Sequence, residues 1–97
     1  MTTIEQREQL RMVVLNFLAQ RKAAAFTAMQ IENRLKAENL VDFNFNAGEI
    51  TDAALIQMDL GLVREVRDSV MGVVPHYQAT AKGVLESEHW RLERGIQ

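Results

Sequence analysis

The chain has 97 residues, 47% of them hydrophobic and 25% charged, with a formal net charge of -2. That length supports one domain around one modest core and leaves no room for a catalytic domain beside a substrate domain. The lack of cysteine removes disulfides, thiolate nucleophiles and cysteine-ligated zinc, and makes the cytoplasm the expected compartment.

At the N-terminus, Glu5, Arg7, Glu8 and Arg11 interrupt any apolar leader. Apolar runs such as Met12–Leu15 and Ala23–Phe26 have four residues each, far short of a membrane span, so no membrane partner is expected. A first helix is predicted over 3–21. Thr2 and Glu5 have the spacing of a capping box. Leu10, Val13, Val14, Phe17 and Leu18 form its apolar face, and Ile4, Met12, Leu15 and Ala19 fall on a flanking arc. The stripe is wider than one core contact requires, which predicts a homodimer through Met12, Leu15 and neighbours, assisted by Trp90.

A second helix begins at Thr27, whose spacing to Gln30 repeats the capping box, with Phe26 and Ile31 as a hydrophobic staple. It buries Ala28, Ile31 and Leu35 and fades near Asn39. A third helix is capped by Asn46 with Glu49 and stapled by Phe45 and Ile50. Ala53, Ala54 and the run from Ile56 to Leu60 add apolar surface, and Gly61 supplies a left-handed stop. After Gly61 the period changes from helical to alternating. Residues 62–67 read as a strand, 68–72 as a turn, and 73–79 as the returning strand of a hairpin. Pro75 favours an edge, since it cannot donate to a ladder. A last helix is capped by Thr80, runs to about Glu93, and buries Val84 and Leu85, with Leu92 or Trp90 closing its end.

The fold class is therefore mainly α with a β-hairpin, in the order α-α-α-β-β-α, as a single domain with an ordered core over 3–93. Phe17, Ile31, Leu35, Ile50, Leu62, Tyr77 and Leu85 are the expected central core. The residues Leu55, Met58, Gly61, Leu62 and Val63, and the run Tyr77-Gln78-Ala79-Thr80-Ala81-Lys82-Gly83, resemble the winged helix-turn-helix superfamily of bacterial and phage regulators. The first set is similar to the exit of that superfamily's recognition helix into its wing. The second is similar to the returning wing strand entering the final helix.

The resemblance implies a DNA-binding transcriptional regulator whose third helix reads a groove of double-stranded DNA. Asn44, Asn46, Thr51 and Gln57 would address base edges, which need amide or hydroxyl donors and acceptors. Arg64, Arg67 and Lys82 would meet phosphate. Charge distribution supports a different function. Residues 1–39 are net +2, whereas residues 40–62 hold Asp42, Glu49, Asp52 and Asp59 with no Lys or Arg. An acidic third helix faces repulsion from phosphate, and Glu49 and Asp52 also suit the positive end of that helix. The alternative is a protein-interaction adaptor without DNA binding, using Met12, Leu15 and the apolar hairpin tip Val70 and Met71 as contact residues.

Chemistry beyond binding has little support. Ser69 and Ser87 stand outside any nucleophile motif, and the glycines are scattered rather than grouped into a phosphate loop. Glu86 and His89 share a helical face, and His76 lies in a strand, but the spacing does not build a metal site. No cofactor, catalytic residue or metal ligand is expected, and the chain is not expected to be an enzyme.

Overall fold

The computed structural model describes residues 2–67 and 74–93. Its elements are α1 (Ile4–Gln20), α2 (Ala28–Ala37), α3 (Ala47–Asp59), β1 (Val63–Val66), β2 (His76–Ala79) and α4 (Ala81–Glu93). The order is α-α-α-β-β-α, mainly helical with one antiparallel hairpin. The strands pair Val63 with Ala79 and Val66 with His76, inside the limits expected from the alternation. No helix among the described residues is long and apolar enough to cross a membrane.

Local signals set the helix ends. Thr27 and Asn46 form reciprocal capping boxes with Gln30 and Glu49, as their spacing predicts. At α1 the box is one residue later than expected, with Thr3 as cap and Gln6 as its partner. Thr2 is released from that role, and its hydroxyl donates to Glu49 Oε2 at 2.6 Å. The exits of α2 and α3 share one chemistry. Asn39 (φ 54°) and Gly61 (φ 77°) take the left-handed conformation. The following amides, of Leu40 and Leu62, then reach back to the carbonyls of Leu35 and Gln57. This closes the last turn by the six-to-one bond of a Schellman motif and satisfies carbonyls that would otherwise lack partners.

α1 lies at the centre, packed by α3 and α4 and touching β2, while α2 packs on α3. Leu10, Val14, Leu15, Phe17 and Leu18 are all buried, joined by Ile31, Leu35, Ile50, Leu62 and Tyr77. Leu15 is therefore core rather than a contact for a partner. A helix surrounded by several elements needs an apolar arc wider than one contact, and this accounts for the wide stripe without a dimer. Phe26 bridges β2 through reciprocal backbone bonds with Tyr77 of 2.9 and 2.7 Å. Its ring meets Phe17 edge-on at 5.0 Å. This ties the α1–α2 connection to the hairpin.

α4 departs from expectation. Its buried residues are Gly83 and Ser87, whereas Leu85 is 67% exposed. Leu92 is exposed and Trp90 is half-buried. The cause is Gly83, where a Cβ would come within 2.0 Å of the Leu62 carbonyl oxygen. That close approach turns the Gly83–Ser87 stripe inward, and Leu85, two residues on, lies about 200° around the helix from Gly83. Thr80 fixes the entry, its Oγ1 donating to Gly61 O at 2.7 Å and accepting from Gly83 N at 3.0 Å. Ser87 Oγ donates to Asn16 Oδ1 at 2.9 Å, which satisfies the buried hydroxyl against α1.

Candidate functional site

α3 has two faces of different composition. Ile50, Ala53, Ala54 and Gln57 recur at helical spacing and are buried. On the opposite side Asp52, Leu55, Ile56 and Asp59 are exposed, followed by Leu60 at the C-cap. Leu55 and Ile56 are 47% and 42% exposed, so the run from Ile56 to Leu60 does not all enter the core as its apolar character suggests. The buried stripe is already complete without Leu55 and Ile56. That completeness, with the acids at 52 and 59 seven residues apart, was a sequence signal for an exposed face.

Three of the four residues expected to read bases are engaged within the chain. Asn46 Oδ1 accepts from Glu49 N at 3.0 Å as the helix cap. Thr51 Oγ1 donates to Ala47 O at 3.1 Å. Gln57 is 2% exposed and donates through Nε2 to Arg11 O at 3.2 Å, which corrects its assignment as a groove reader. Asn44 alone of the four is exposed without an internal bond. The spacing of 57 from 53 and 54 places Gln57 on the core stripe, but an amide there reads as polar and therefore as surface.

The cations of the hairpin region are also partnered. Arg64 donates through Nε and Nη2 to Gln78 Oε1 at 2.9 and 2.6 Å. Arg67 pairs with Glu65, whose hydrogen bond and charge raise the guanidinium pKa further above its ordinary value. Lys82 Nζ donates to Leu60 O at 3.2 Å, compensating the negative end of α3. Near α2, Arg21 lies 4.1 Å over the Phe17 ring and 3.6 Å from Glu38, and Lys36 pairs with Glu32 at 2.9 Å. The Tyr77 hydroxyl is held above its usual pKa by burial and by the Glu65 carboxylate, partly offset by the Thr51 hydroxyl. Val70 and Met71 lie outside the described residues.

Two grooves run along α1. The first, of about 410 Å³, has Arg7, Leu10 and Arg11 on its α1 wall and Glu49, Asp52, Leu55 and Ile56 on its α3 wall. Arg7, Arg11 and Asp52 take part in none of the ion pairs formed among the described residues. The second, of about 610 Å³, is lined by Glu5, Glu8 and Gln9 together with Met12, Val13, Leu40 and Trp90. Met12 is half-buried there and packs against the core. Among the described residues no three potential ligands converge on a metal position, and His89 instead lies 2.9 Å from Glu93.

No protein-family model, curated protein or solved structure matches this chain.

Proposed function

We propose that this chain is a protein-interaction module that docks a protein partner against the solvent face of α3, on a scaffold resembling a winged helix-turn-helix. The observation that carries this reading is the composition of that face: Asp52, Leu55, Ile56 and Asp59, with no cation. Two large aliphatic side chains between carboxylates suit another protein's surface, where apolar area removed from water supplies affinity and charges fix register. Against a duplex, the same face would bring two carboxylates toward phosphate and offer few hydrogen-bonding groups to bases. The engagement of Asn46, Thr51 and Gln57 inside the chain supports the same reading.

The DNA-binding regulator implied by the winged-helix resemblance is the outcome that would replace this reading. An anisotropy titration against mixed duplexes at two salt concentrations separates them. The expected result is duplex binding no tighter than about 10⁻⁴ M at physiological salt. Tight, salt-sensitive binding would overturn the proposal. In that event Arg64→Ala with Arg67→Ala should weaken binding to all sequences alike and lower the salt slope by about two units.

A further inference from the structure

The first groove carries both signs of charge. Arg7 and Arg11 stand on the α1 wall, Asp52 stands on the α3 wall, and none of the three joins an ion pair among the described residues. Leu10, 1% exposed, closes the groove on the α1 side, and Leu55 and Ile56 stand half in water on the other. A uniformly basic occupant would be repelled by the arginines, and a uniformly acidic one by Asp52. The occupant must present an apolar ridge with an acid on one flank and cations on the other. The two walls of this groove together form such a surface, with Asp52 beside Leu55 and Ile56 on α3 and Arg7 and Arg11 across from them on α1.

We infer that the partner docked by this groove is a second copy of the chain, related by a two-fold axis. This rests on the protein-interaction reading and names its partner. In such an isologous contact the same patch meets itself, so every pairing occurs twice. Asp52 of each copy faces Arg7 and Arg11 of the other, and Leu55 and Ile56 of each cover those of the other. Removing the aliphatic pairs from water supplies the affinity, and the crossed charges select the two-fold register over a parallel slide.

The test uses sedimentation of the full chain at high micromolar concentration, with circular dichroism to verify the fold of each variant. The wild type should sediment as a dimer. Asp52→Arg alone places arginines opposite arginines, and the Arg7→Glu/Arg11→Glu variant alone places acids opposite Asp52. Each alone should associate about tenfold more weakly or worse. An equimolar mixture of the two should recover the dimer, because both crossed pairings are then attractive. No repair within one chain can produce that recovery. Ile56→Lys should give a folded monomer. A monomeric wild type, a dimer indifferent to these changes, or a mixture that fails to reassociate would each overturn the inference. The duplex titration reports separately: tight DNA binding by an intact dimer sinks the interaction reading, whereas a monomer that ignores DNA sinks only the choice of partner.

Discussion

The two grooves beside α1 share a helix and differ in charge. The groove against α3 sets Arg7 and Arg11 across from Asp52, with aliphatic side chains between them. The groove that reaches Leu40 and Trp90 is larger, and its charged residues are Glu5 and Glu8. Size alone would favour the second as a contact surface, and Met12 lies in it. Two copies meeting there would bring four carboxylates together with no cation in the groove to offset them. Complementarity of charge, rather than volume, therefore separates a surface suited to self-association from one that is merely concave.

The largest expected effect falls on α1, the helix that the two grooves share. Phe17 is 2% exposed and contacts Phe26 edge-on, so Phe17→Ala leaves a cavity where α1 meets the α1–α2 connection. It should cost about 3–5 kcal/mol in chemical denaturation. A cost below about 1 kcal/mol would show that α1 does not depend on this packing.

An intermediate effect is confined to the first groove. Asn46 caps α3 and, with Glu49 and Thr2, holds the N-terminal turn that carries one wall. Asn46→Ala should destabilise the protein by about 1 kcal/mol. Amide exchange should quicken in the first turn of α3 while residues around Met12 and Trp90 keep their protection. Equal loosening on both sides of α1 would contradict the independence of the two grooves.

The smallest effect lies in the second groove. Glu8 is exposed and unpaired among the described residues, so Glu8→Lys should change stability by no more than about 0.5 kcal/mol. Its dimerisation constant, measured by sedimentation, should match that of the wild type. A clearly tighter dimer would mean that this acidic groove is the true contact and that its carboxylates normally limit it.

Much of the fold was readable because its signals are local. The capping boxes at Thr27 and Asn46, the stops at Asn39 and Gly61 and the change of period after Gly61 each involve residues within about one turn of one another. The proposed interaction surface was less readable. Gln57 looked like a base reader because an amide is polar, yet it bonds a backbone carbonyl of α1 that is distant in sequence. Leu15 looked like an extra contact because the stripe on α1 exceeded one neighbour's needs, and the additional neighbours come from the far end of the chain. Arg7 and Arg11 were counted as cations in a basic segment, with nothing local to place them opposite Asp52.

The sequence by itself determined, to within a residue or two, where each helix begins and ends, together with the antiparallel hairpin, the order of elements and the acidity of residues 40–62. These follow from hydrogen bonding at helix termini, backbone conformations accessible to glycine and asparagine, and side-chain periodicity, all short-range effects. Tertiary structure decided which apolar side chains remained outside the core. Leu85 is outside because the backbone approach at Gly83 sets the rotation of α4, and Leu55 and Ile56 are outside because Ile50, Ala53, Ala54 and Gln57 already fill the contact with the rest of the domain. Burial depends on what a side chain meets after the chain has closed on itself, and two leucines with similar local sequence patterns can therefore end on opposite sides of that boundary.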